Sequence, residues 1–131
     1  MEGTAPDSFR QEVLTQDNLV LWRISGNLNL PHYEELKSEL GRLIENKTRN
    51  VVLDLQGLES IDSRGLGFLI TVQREVRGIQ GRLVLVHLAA RFAPLFETTR
   101  LNRIFEIFLD LESAKRSFGA VQPGAGESVA P

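Results

Sequence analysis

Glu59-Ser60-Ile61-Asp62-Ser63-Arg64-Gly65-Leu66-Gly67 decides how the rest of this chain is read. It follows the apolar run Val51-Val52-Leu53-Asp54-Leu55 and precedes helical spacing at Leu66, Leu69, Ile70, Val72, Val76 and Ile79. A strand, a polar turn and a helix in that order open a β-α-β unit with the turn facing solvent. The helix is expected to begin near Ser63 or Arg64. Asp62 or Ser63 would accept backbone N–H bonds there, and Gly65 and Gly67 are read as letting the first turn pack close to the sheet. The same N–H groups carry partial positive charge and lack internal partners, so a phosphate on Ser63 is tolerated. It would add roughly −2 charge to a contact surface. A helix cap and a phosphorylation switch use one geometry, and both readings stand at this point.

Working outward, Phe9 to Thr15 alternates loosely and Leu19 to Ser25 is strand-like, with hairpin chemistry in Gln16-Asp17-Asn18 between them. A polar loop, Gly26-Asn27-Leu28-Asn29, leads to Pro31 as the first residue of a helix. Leu30, Tyr33, Leu36, Leu40, Leu43 and Ile44 make Pro31 to Asn46 amphipathic. Val51 to Leu55 is a strand buried on both faces. Gly78 and Gly81 end the helix that starts at the Asp62-Ser63 turn, and Arg82 to Leu88 is the next strand. Ala89 to Thr98 is a short helix with Pro94 in its first turn, and Ile104 to Phe108 is a last strand. Asp110 caps a terminal helix through Phe118, with Leu111, Ala114 and Phe118 inward. The expected class is therefore α/β, a mixed sheet of about five strands with an opening β-hairpin and about four helices, mainly on one face. Sites in such folds lie beyond the C-terminal ends of the strands, where the Asp62-Ser63 turn falls.

Length and composition set the outer limits. At 131 residues the chain supports one domain, expected over residues 8–118, with residues 1–7 and 119–131 too polar or small to order themselves. A net charge of −2 gives no electrostatic reason to expect nucleic acid or an anionic membrane. With no cysteine, disulfides and thiolate chemistry are excluded. No apolar run approaches the roughly 18 residues that span a bilayer. The start of the chain lacks the regions of a signal peptide, so no membrane insertion is expected and the cytoplasm is the default.

Other chemistries find little support. His32 and His87 have no companions spaced as metal ligands, and are read as solvated or capping. Asp54 is read as a strand-end carboxylate bonded to backbone rather than an active-site acid of raised pKa. Trp22 is read as facing outward on the hairpin, and Arg74, Arg77, Arg82, Arg91, Arg100 and Arg103 as a solvated surface. Gly65-Leu66-Gly67 lacks both nucleotide-loop patterns, so no cofactor is expected.

Four segments together carry a resemblance: Gly26-Asn27-Leu28-Asn29, Val51 to Leu55, Ile61-Asp62-Ser63-Arg64-Gly65-Leu66-Gly67, and Leu95-Phe96-Glu97-Thr98-Thr99-Arg100-Leu101. In order and spacing the chain resembles the STAS domain family, and within it the stand-alone bacterial anti-sigma factor antagonists. The resemblance implies a binding module rather than an enzyme. It would bind an anti-sigma factor with serine kinase activity, leave it on phosphorylation of Ser63, and be restored by a phosphatase. Asn27, Asn29, Asp62, Ser63, Arg64, Gly65 and Leu66 would form the partner-binding surface of a monomer or weak homodimer. The sequence also departs from the family's pattern. Arg64 stands where Ser or Thr is common, Asn27 and Asn29 replace two acids, and Arg100 replaces a glycine. Arg64, Asn27 and Asn29 motivate an alternative, a STAS scaffold without phosphorylation or a subunit of a signalling or lipid-transport assembly.

Overall fold

Along one strand Val20, Trp22, Ile24, Gly26 and Leu28 are buried while the residues between them are half-exposed. That two-residue period organises both layers of the molecule. The computed structural model describes residues 9–16 and 19–121. In chain order these are β1 (Phe9–Gln16), β2 (Leu19–Leu28), α1 (Tyr33–Glu45), β3 (Asn50–Asp54), β4 (Leu58–Ile61) and α2 (Ser63–Gly78). Then come β5 (Arg82–Val86), α3 (Ala93–Thr98), β6 (Glu106–Phe108) and α4 (Leu111–Val121). Short 3-10 turns at Leu30–His32, Ala90–Phe92 and Leu101–Arg103 precede α1, α3 and β6.

The sheet has six strands in the order β1-β2-β3-β5-β6, with β4 also paired to β2. Among the described residues only the opening β1–β2 pairing is antiparallel; the other pairings are parallel. One face carries the larger core. Leu36, Leu40 and Leu43 of α1, Phe68, Leu69, Val72 and Val76 of α2, and Phe96 of α3 close over Trp22, Ile24, Leu53 and Leu85. On the other face, among the described residues, α4 packs Ala114, Leu111 and Phe118 on Val52, Val84 and Val86. The mixed α/β sheet with its helices mainly on one face is the architecture expected from sequence.

Several local expectations are corrected. Gly26-Asn27-Leu28 is not a loop but the end of β2, because β4, a strand that was not expected, satisfies its backbone there. Pro31 sits in the 3-10 turn, and α1 starts at Tyr33. Strand β5 stops at Val86 because His87 takes a left-handed conformation, φ 59°. Trp22 is fully buried rather than outward-facing, with its indole N–H donating to Gln11 Oε1 at 2.9 Å. The turn residues Asp17 and Asn18, the start before Phe9 and the tail after Val121 lie outside the described residues. Helix α4 itself continues past the expected end at Phe118 to Val121.

Candidate functional site

The Asp62-Ser63 turn is built by the pairing of β2 with β4. Asn27 stands opposite Ser60 and Leu28 opposite Ile61, with a register shift between Gly26 and Asn27. The Ser60 hydroxyl donates to Asn27 Oδ1 at 2.6 Å, and the Asp62 N–H donates to the Leu28 carbonyl at 3.2 Å. The chain therefore enters α2 directly from a fixed strand. Asp62 is the N-cap, extended at φ −104° and ψ −176°, and its Oδ1 accepts from the Gly65 N–H at 2.8 Å. Ser63 is the first residue of the helix, and both Ser63 and Arg64 are exposed. Of the two cap candidates, Asp62 takes the role, which leaves the Ser63 hydroxyl at the surface.

Gly65 and Gly67 part company. Gly65 is buried, and a Cβ there would run into the Leu28 carbonyl oxygen and lie 2.9 Å from Ile61 Cγ1. Gly67 faces open space, so its expected close packing on the sheet is corrected. Leu66 is half-buried against the larger core. Asn29 follows β2, and its backbone carbonyl accepts from the His32 N–H at 3.1 Å. The structure thus gathers Asn27, Asp62, Ser63, Arg64, Gly65 and Leu66 around the meeting of β2, β4 and α2, with Asn29 next in chain.

Sequence reasoning missed two parts of this frame. One is the Ser60–Asn27 bond. The other is Arg91, whose Nη2 donates to the carbonyls of Leu58 and Glu59 at 3.1 and 3.0 Å, tying the turn before α3 to β4. Arg91 and Arg82 are therefore not merely solvated; Arg82 holds Glu106 through Nε and Nη2 at 2.9 and 2.6 Å.

Asp54, at the end of β3, is only 1% exposed. Its Oδ1 accepts from the Gln56 N–H and from His87 Nδ1, both at 3.0 Å, and its Oδ2 from Arg23 Nε at 3.2 Å. Burial pushes the carboxyl up, but the bonds from His87, Gln56 and Arg23 together outweigh it, and its pKa lies below the usual carboxylate range. That direction is opposite to the one a raised-pKa acid would take. Asp54 is instead a strut: through Gln56 it shapes the connection from β3 to β4, and through His87 it ties that connection to the end of β5. His32 stacks on Phe9 at 4.2 Å between ring centroids, with Nδ1 3.2 Å from Glu35 Oε1. Among the described residues no cluster of His, Asp and Glu could hold a metal ion, and no helix is long and apolar enough to cross a membrane.

Residues 10–114 match the STAS domain. A protein of Bordetella bronchiseptica, BtrV, named as an anti-sigma factor antagonist, is 32% identical over 107 residues, 82% of this chain and 92% of its own. The crystal structure of an anti-sigma factor antagonist from Mycobacterium paratuberculosis superposes with a TM-score of 0.77 at 22% identity, covering 86% of this chain and 96% of that one. The structure of the Bacillus cell fate determinant SpoIIAA in its phosphorylated form superposes with a TM-score of 0.62 at 20% identity, covering 84% and 99%.

Proposed function

Because this chain belongs to the STAS domain family, we propose that it is an anti-sigma factor antagonist switched by phosphorylation of Ser63. In this reading the unphosphorylated chain binds an anti-sigma factor with serine kinase activity, in the cytoplasm, and so frees a sigma factor. Phosphorylation ends the binding and a phosphatase restores it. The names carried by its relatives support the first half. One observation carries the second: Ser63 is exposed at the first helical position while Asp62 does the capping, so its hydroxyl can react without unmaking the helix start.

The physics of release follows from the same place. A phosphate on Ser63 sits at a helix N-terminus, which tolerates it, beside the Asp62 carboxylate and within one residue of Arg64. It brings about −2 charge into a surface that, when docked, must shed water. With amides at Asn27 and Asn29 and the Arg64 guanidinium beside the Asp62 carboxylate, the unmodified turn carries little net charge, so the phosphate would dominate its electrostatics. Affinity capture from the native cell, then incubation of the captured kinase with ATP and mass spectrometry, should place one phosphate on Ser63 and none on Ser63→Ala. Phosphate elsewhere sinks the switch. Unchanged partner affinity in Ser63→Asp transfers the reading to a scaffold or assembly subunit.

A further inference from the structure

The sheet ends at β6, which is hydrogen-bonded to β5 on one side only. Along its other side the backbone N–H and C=O groups have no strand partner among the described residues. Charged side chains commonly guard such an edge against a second strand. The opposite edge is guarded in that way, since Arg10 and Glu12 are the exposed residues in the first half of β1. The edge at β6 is apolar instead. Of the four large hydrophobic side chains exposed among the described residues, Ile104, Ile107 and Leu109 lie on this one segment, Leu109 at 90%. Ile107 stands opposite Leu85 in the pairing with β5, which puts it on the face of the larger core, where Phe105 is buried. Charge along the segment is just as unevenly placed. Arg100 and Arg103 precede the strand, Asp110 and Glu112 follow it, and all four are exposed.

We propose that β6 is the contact between two copies of this chain, paired antiparallel about a two-fold axis at Ile107. Ile107 then faces its own counterpart, and Leu109 of each copy comes opposite Phe105 of the other. The basic end of each strand meets the acidic end of its mate, Arg103 against Asp110 and Glu112, whereas a parallel pairing would set arginine against arginine. Glu106 approaches its own counterpart too, but each is already neutralised by the two bonds from Arg82. With only three residues in β6, the pair buries less than the ~800 Å² per partner of a lasting complex, so association is weak and concentration-dependent. The Ser63 turn takes no part in the contact.

Sedimentation equilibrium of the full chain from about 10 µM to about 1 mM should show the average mass rising from that of one chain toward that of two. Ile107→Lys brings two lysines together on the axis and should weaken association about tenfold, with circular dichroism as the check on folding. Arg103→Glu and Glu112→Arg each set like charges together at both ends of the pair, and each should weaken association by about as much. An equimolar mixture of these two variants should recover the wild-type association, because opposite charges then meet again at both ends. A mass that stays at one chain up to about 1 mM, full association in Ile107→Lys, or a mixture no stronger than its two components would each overturn the proposal.

Discussion

Replacing Gly65 by alanine adds one methyl group where α2 first touches β2. The new Cβ would collide with the Leu28 carbonyl oxygen, and would lie 2.9 Å from Ile61 Cγ1 and 3.0 Å from Leu28 Cγ. The closest obstacle is backbone, and it already accepts from the Asp62 N–H at 3.2 Å. It cannot rotate aside, so the helix must retreat. Overpacking costs about 1–3 kcal/mol, and a backbone obstacle places this case at the upper end. The gain in helix propensity from Gly to Ala offsets about 1 kcal/mol. The net loss is about 2 kcal/mol, or a fall in Tm of roughly 8–10 °C for a domain of this size. Gly67 supplies the control on the same helix. It has nothing within 4 Å, so Gly67→Ala keeps the propensity gain alone, about 0.5–1 kcal/mol. Urea denaturation of both variants, read by circular dichroism, should move their midpoints in opposite directions from the wild type. A Gly65→Ala protein at or above wild-type stability would show that α2 does not rest on the end of β2 as described.

Three other perturbations test other parts of the frame. Arg100 holds φ 63°, a left-handed conformation that costs a non-glycine residue about 1–2 kcal/mol. Arg100→Gly should therefore raise stability by about 0.5–1 kcal/mol after the entropy of the added glycine is deducted, measured by the same denaturation. Asp62→Ala removes the acceptor of the Gly65 N–H and should cost about 1 kcal/mol. Its hydrogen exchange should speed up in the first turn of α2 and leave the strands protected. Asp54 has a folded pKa below its unfolded value, so its contribution is fully present above the unfolded pKa of about 4 and is lost as pH falls through the folded one. Stability of the wild type should thus fall with acid below about pH 5, and more steeply than that of Asp54→Asn. Parallel slopes for the two proteins would contradict the strut.

What was legible in the sequence was local, and what was hidden was not. Helices α1 and α2 declare themselves through residues three and four apart, and Asp62-Ser63 marks its own helix start. Strand β4 does not, because Leu58-Glu59-Ser60-Ile61 is short and its reason to be a strand is the end of β2; the Ser60–Asn27 bond spans 33 residues. Arg91 reaches β4 across a similar gap, and no spacing rule points from one to the other. Trp22 fails for a different reason. Alternation in β2 shows two sets of residues but not which set meets two helices, since Leu19 and Leu21 on the opposite face are also partly buried, against the smaller cluster of Val52, Val84, Val86 and Ala114. The glycines, by contrast, could have been separated beforehand. Gly65 falls in phase with Leu69, Val72 and Val76 on the buried stripe of α2, and Gly67 falls outside it. The exposed hydroxyl of Ser63 follows from that same phase, because a helix that turns Gly65 into the sheet must turn its first residue outward. The proposed switch thus rests on a few adjacent residues, whereas the frame that holds them is tied together by Asp54, Asn27 and Arg91, contributed from three other parts of the chain.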